Sequence, residues 1–347
     1  MKLKTLLLAS AAAMIAVSAQ AADLLADETE AVPTPAPAVA GNTGTSVCDA
    51  LGAGFFYIPG TETCLKIGGA VESRVGYASL ANGAWRDGYA TVEARMDIDT
   101  RTESEFGVIG SKFRVSLNHG LIATPFLNTD RSVGLELAYI TVGPAFIGYK
   151  ETLFNTNVAY GDTLDIENWI GGYSNTLTTG FLVDNLGGGF YVGGAIEGAG
   201  RSQWAGAVTG LDDLDFVART GIAGQSWGGS DLSFIHSKTN DTWMVKSTTD
   251  FNVLDGTQAR FTAAYLDVAN DDAVLIGLGA KQALTEQVSA FAGGAYLVNK
   301  TLSNPWLANV GVVYTPVVGF DVSGEFGYGD LLGTDSYNTT VKFTKSF

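Results

Sequence analysis

Few residues in this chain could perform bond-making chemistry. It has only two histidines, His119 and His236. Each stands at the edge of an alternating apolar stretch, in Asn118-His119-Gly120 and Ile235-His236-Ser237. A general base needs a nucleophile or an orienting partner within hydrogen-bond reach. No G-x-S-x-G elbow is present and nothing in the sequence pairs either histidine, so both read as polar residues at loop edges and no catalytic residue is assigned. The chain is read as a non-enzyme. No His/Cys cluster has ligand spacing, so neither a metal nor another cofactor is implied. Runs such as Gly187-Gly188-Gly189 are turns rather than phosphate cradles, because no helix follows them.

What remains is charge arranged to make a field. One long stretch without strand pattern, 152–173, carries Asp162, Asp165 and Glu167 among the aromatic residues Phe154, Tyr160, Trp169 and Tyr173. Strand-patterned stretches before it place Lys66, Arg74, Arg95, Arg101, Lys112 and Arg114 on their polar faces, with Arg95 and Arg114 in mid-strand. Set opposite each other, such acids and guanidinium groups make a transverse field. That field orders water and favours polar solutes over apolar ones. The alternative is that the loop acids are solvated surface charges and the arginines pair with Glu72, Glu93 and Asp97 beside them.

The elements that must position these charges are strands. Residues 1–21 form a secretory signal: Lys2 and Lys4, an apolar run from Leu6 to Val17, and an Ala19-Gln20-Ala21 cleavage site. Residues 22–47, with Pro33, Pro35 and Pro37, form an extended tail. No later stretch is long and apolar enough for a spanning helix. An exported chain with one cysteine pair, Cys48 and Cys64, reads as carrying one disulfide. The closed loop of about 15 residues is worth roughly 3 kcal/mol in the chain-entropy model. The formal net charge of −16 leaves no basic stripe for phosphates and excludes nucleic acid.

Alternation then repeats along the chain. Ala90, Val92, Ala94, Met96 and Ile98 oppose Glu93, Arg95, Asp97 and Asp99. Val133, Leu135, Leu137, Tyr139 and Thr141 form a second apolar face, and Trp306, Ala308, Val310, Val312 and Tyr314 a third. The last stretch sets Tyr337, Thr339, Val341, Phe343, Lys345 and Phe347 against a polar face. At 258–268 and 287–298 Ala and Gly blur the pattern. Sixteen such strands are read, from 64–77 to 336–347, with short turns at one end and longer loops at the other. An even count lets the ends meet and removes the sheet edge, as lipid demands. The expected fold is therefore all-β: a 16-stranded antiparallel transmembrane β-barrel over 64–347, apolar toward lipid and polar inside.

One segment carries a family resemblance. CDALGAGFFYIPGTETCLKIG at 48–68 is similar to the opening signature of the alphaproteobacterial (rhizobial-type) outer-membrane porin family. DTRTESEFGVI at 99–109, AYITVGPAFIGYKETLFNT at 138–156 and FVARTGIAGQSWGGSDLSFIHS at 216–237 support it, while 238–310 match only in general pattern. The resemblance implies a channel in the outer-membrane lipid, a homotrimer as is typical of such porins, for passive diffusion of small hydrophilic solutes and ions. A solute-specific channel is the alternative. It implies that the third external loop, here 152–173, folds into the lumen. Asp162, Asp165 and Glu167 then form one side of a constriction and Arg74, Arg95 and Arg114 the other. It implies that Phe347 is the terminal assembly signal, and that the tail attaches to the cell wall through Ala22, since Ala22-Asp23 matches the mature start.

Overall fold

The computed structural model describes residues 48–79, 86–121, 132–154, 160–161, 175–184, 186–198, 214–238, 241–268, 271–299, 304–330 and 335–347. The proposed signal, the tail and Ala22 lie outside the described residues.

After a two-residue strand β1 (Phe56–Tyr57), sixteen long strands follow in chain order. They are β2 (Cys64–Ser79), β3 (Arg86–Ser104), β4 (Gly107–Leu121), β5 (Ser132–Val142), β6 (Ala145–Glu151), β7 (Asn175–Val183), β8 (Phe190–Gly198) and β9 (Leu214–Gln225). Then come β10 (Gly228–Ser237), β11 (Thr242–Leu254), β12 (Thr257–Val268), β13 (Asp271–Ala283), β14 (Val288–Asn299), β15 (Trp306–Val317), β16 (Phe320–Asp330) and β17 (Asp335–Ser346). Each pairs antiparallel with the next, and β17 pairs with β2, from Tyr337↔Ser79 to Ser346↔Ala70. The sheet is a closed sixteen-stranded barrel.

The seam extends one residue past β17. Phe347 N donates to Gly69 O at 3.0 Å, and Gly69 N donates back to Phe347 O at 3.1 Å. A Cβ on Gly69 would lie 2.2 Å from Arg95 O and 2.9 Å from the Phe347 ring, so only glycine fits there. Below this point β2 continues to Cys64 without β17 beside it. That free edge is taken by β1, with Phe56↔Leu65 and Tyr57↔Cys64 paired. An unpaired strand edge is a template for wrong association, and β1 covers it. The Cys48–Cys64 disulfide is present and buried, with Phe55 and Leu51 packed against it. Arg101 Nη1 donates to Leu51 O at 2.6 Å while its guanidinium lies 4.6 Å over the Phe55 ring.

The tight turns at 105–106, 143–144, 184–189, 226–227, 255–256, 284–287 and 318–319 all fall at one end. The other connections do not all lengthen as expected: 152–174 is long, but 238–241 and 269–270 are short. The third connection at the long-loop end is 152–174, as the strand count anticipates.

The apolar face points outward along most strands. Val92, Met96, Val310, Val312, Phe326, Val341 and Phe343 are exposed, whereas Glu72, Arg74, Glu93, Arg114, Lys246, Arg260 and Glu325 are buried in the barrel interior. Strand β5 departs from its expected face. Arg114 pairs with Leu137 but Val115 with Leu135, so Glu136 is an extra residue and the pleat shifts there. Val133 and Leu135 face out, Leu137 is buried, and the outward residues beyond the shift are Ile140 and Val142. Tyr139 is turned inward, with Lys150 Nζ 5.8 Å from its ring. The blurred strands resolve with Phe261, Tyr265, Tyr296 and Val298 outward.

Gly69→Val is expected to cost about 3 kcal/mol of barrel stability through overpacking and to lower the fraction of heat-modifiable folded protein on electrophoresis. A wild-type fraction would mean the seam tolerates a side chain there. Cys48→Ser should leave the β content unchanged by circular dichroism. It should expose 48–63 to protease, since the loop loses about 3 kcal/mol of constraint; continued protection would show that Arg101 and β1 suffice.

Candidate functional site

The interior of the barrel is lined in two different ways. On the arc of β2–β5 and β16–β17 the inward positions are charged and mostly ion-paired. Arg74 Nε pairs with Glu72, which Lys342 Nζ also approaches at 3.9 Å. Arg95 Nε lies 3.8 Å from Glu93 Oε1, and Arg114 Nε donates to Asp97 Oδ1 at 2.7 Å. Alternation explains the grouping: Glu72 and Glu93 are register partners, as are Asp97 and Arg114. The three arginines singled out from sequence are therefore brought together on one patch of inner wall. Each has an acid beside it, which is the alternative that the sequence left open.

The same device continues round the barrel. Arg219 pairs with Asp231, which also accepts from Tyr191 Oη at 2.6 Å and Ser233 Oγ at 2.7 Å. Arg260 donates to Asp250 through Nε at 2.7 Å and Nη2 at 3.0 Å. These partners were not anticipated. Arg260 lies on a strand whose faces the sequence leaves ambiguous, and the pairs join residues of neighbouring strands. Ion pairs shielded in this way contribute little net stability, because desolvation offsets much of their attraction. Their consequence is a wall of alternating sign.

On the other arc the interior is apolar near the long-loop end. Phe146, Val217, Met244, Leu266, Leu275 and Leu297 are among the inward residues of a buried cluster that also contains Leu153 and Phe154. A polar interior was expected throughout. The reason for the departure is the chain segment leaving β6, which turns into the barrel and buries these side chains against its wall. Leu153 N donates to Glu197 Oε1 at 2.9 Å, and Phe154 is fully buried with Lys246 Nζ 4.5 Å over its ring.

The same loop touches the wall again at Tyr160 and Gly161. Asn309 Nδ2 donates to Tyr160 O at 2.6 Å and to Glu325 Oε1 at 2.9 Å. The Arg260 guanidinium sits 5.0 Å over the Tyr160 ring, a cation–π contact. Gly161 has φ +98°, and a Cβ there would lie 2.5 Å from Glu325 Oε1 and 2.7 Å from Asn309 Nδ2. Thus the described residues of the third connection, 152–154 and 160–161, lie against the inner wall, the latter pair on β12–β16. A closed barrel with a charged inner wall, against which parts of its third long connection are held, is the arrangement of a diffusion channel.

Comparison with known proteins agrees with this geometry. A family model described as "Porin subfamily" matches residues 44–346. The protein belongs to that porin family. Over its full length the porin is 29% identical to Porin Omp2b of Brucella suis and of Brucella abortus, covering 100% of both chains in each case. Among solved structures, the outer-membrane channel DcaP of Acinetobacter baumannii shares 16% identity with a TM-score of 0.67, covering 84% of this porin and 99% of that chain. A Comamonas acidovorans porin described as anion-selective shares 12% identity with a TM-score of 0.60, covering 82% and 100%. These structures share the fold. The chain is an outer-membrane porin whose strands cross the membrane repeatedly.

The loop residues Asp162, Asp165 and Glu167 lie outside the described residues. His119 and His236 share the outward parity of Leu117 and Phe234, on separate strands, so neither faces the lumen of the porin. His236 Nε2 lies 3.6 Å from Asp241 Oδ1 at the long-loop rim.

Gly161→Val is expected to weaken the loop anchor by about 1–3 kcal/mol, the range for a strained backbone. Planar-bilayer recordings should then show larger and noisier conductance steps. Steps matching the wild type in size and noise would rule out an anchoring role for this contact.

Proposed function

We propose that this porin passes small hydrophilic solutes and ions by passive diffusion, sieved where the third loop narrows the lumen. The observation that carries the reading is the loop's double attachment inside a closed, charged barrel, at Leu153–Phe154 and again at Tyr160–Gly161. In this reading Asp162, Asp165 and Glu167 supply the loop side of the constriction, and Arg74, Arg95 and Arg114 the wall side. No bond is made or broken, so no catalytic group is required. The acidic surplus of the chain, −16 in formal charge, favours cations mildly.

The functional unit is a homotrimer. Near the long-loop end, Trp243, Tyr265, Trp306, Tyr328, Tyr337 and Tyr77 stand on the strand faces turned to lipid in three ring pairs, Tyr77 with Tyr337 stacked, Trp243 with Tyr265 tilted and Trp306 with Tyr328 edge-on. Aromatic residues favour that interfacial depth. The corresponding outward positions of β3–β5, Val92, Leu117, Val133 and Leu135, are exposed and aliphatic. A face without the aromatic belt is suited to a second copy rather than to lipid headgroups. Residues 1–21 are removed on export, and 22–47 form a periplasmic tail attached to the cell wall through Ala22. Phe347 acts as the assembly signal for insertion as well as the last seam residue.

Single-channel recording in planar bilayers tests the reading. Conductance is expected to appear in groups of three equal steps, with reversal potentials in a salt gradient showing mild cation preference. Failure to conduct would sink the channel reading, and clear anion preference would sink the selectivity. Saturable block by one solute would favour a solute-specific channel instead. Deleting Phe347 should lower outer-membrane levels more than it alters the conductance of pores that do form; unchanged levels would remove its signalling role.

A further inference from the structure

One inward carboxylate stands outside the pattern of paired charges. Glu136 is 7% exposed, forms no ion pair among the described residues, and its Oε2 has no hydrogen-bond partner. It stands at the shift in β5, as the extra residue between the Arg114↔Leu137 and Val115↔Leu135 pairs. Strict alternation would carry Glu136 on the same face as the charged positions but would also send Leu137 outward; the irregularity instead keeps both buried. Its carbonyl, freed from the ladder at the shift, accepts from Asn175 Nδ2 at 2.8 Å. Bulges beside functional sites commonly re-aim a side chain.

The surroundings carry both signs. Glu136 interacts electrostatically with Glu93, which in turn interacts with Glu72, its register partner on β2. Glu93 Oε1 also lacks a hydrogen-bond partner, although Arg95 Nε lies 3.8 Å away. Glu72 is neutralised by Arg74 and approached by Lys342. The Arg114 guanidinium nearest in register to Glu136 is committed to Asp97 at 2.7 Å. Among the described residues Glu136 therefore lacks the direct ion pair that Glu72, Glu93 and Asp97 each have. A carboxylate shielded from bulk water and lacking a counter-charge is costly unless a cation visits it.

The geometry points to Glu136, with Glu93 beside it, as a cation subsite on the lumen wall that sets the ionic preference of this pore. The ligand is a hydrated monovalent cation, held transiently as it passes. Chelation is not involved, since no three acidic, histidine or cysteine groups among the described residues are placed to hold a metal ion. The inference rests on the channel reading and assigns its selectivity to the β3–β5 wall, independent of the acids of the third loop.

Reversal potentials in a potassium chloride gradient, measured for wild type and Glu136→Gln, test it. The potassium-to-chloride permeability ratio is expected to fall roughly two- to threefold in the variant, the factor that a Coulomb energy of about RT gives. An unchanged ratio overturns the proposal, because glutamine reproduces the shape and removes only the charge. A second measurement needs no variant: wild-type conductance should rise less than proportionally with potassium chloride concentration. Strict proportionality to bulk conductivity overturns the subsite even if Glu136→Gln fails to assemble. A wild-type protein that forms no conducting steps defeats the channel reading itself, and is thereby distinct from either result.

Discussion

Lipid offers no hydrogen-bond partner to a backbone amide, so a sheet that spans a membrane must leave no open edge. Everything else in this molecule depends on the seam that meets that demand. Strand β17 closes onto β2 over ten register pairs from Ser79 to Ala70. Phe347 and Gly69 exchange the final two backbone bonds. Where β2 runs on below the seam, β1 and the Cys48–Cys64 disulfide cover the remaining edge. The disulfide segment is thus a local patch on the closure, fastened by Arg101 to the inner face of the same strands.

Closure fixes the inside and the outside, and the period of two then sorts every side chain. Outward positions are apolar because lipid has no place for charge. Inward positions are free to be charged, and they alternate in sign: Glu72 with Arg74, Asp97 with Arg114, Asp231 with Arg219, Asp250 with Arg260. Pairing on the wall keeps most of these groups from dominating the lumen singly. The pore's preference is then left to small departures from balance, and Glu136, unmatched at the shift in β5, is one of them.

The described part of the third loop is held inside the barrel by a different force. Its root is held by burial of Leu153 and Phe154 against inward leucines and alanines. Its next described contact is polar and aromatic, through Tyr160, Asn309 and Arg260. An apolar patch inside a water-filled barrel is stable only because the loop covers it. The two attachments act together: the apolar root turns the chain into the barrel, and Gly161 lets it lie flat against Glu325 and Asn309.

Much of this was legible in the residues themselves. Sixteen strands, their order, the short-turn end and the third long connection follow from local periodicity, because a strand half in lipid must alternate. The disulfide and the membership of Arg74, Arg95 and Arg114 in the inner wall were equally readable from spacing and parity. Three things needed the tertiary structure. The inward turn of Leu137 and Tyr139 came from a one-residue shift, which no alternation rule foresees since it breaks the rule. The apolar lining of β11–β15 required a covering segment distant in sequence. The ion partners of Arg219 and Arg260 were set by register between neighbouring strands, and the hold on Tyr160 by contacts some 149 residues apart between Tyr160 and Asn309. Periodicity is a property of one strand; register and loop docking arise only when strands are placed side by side.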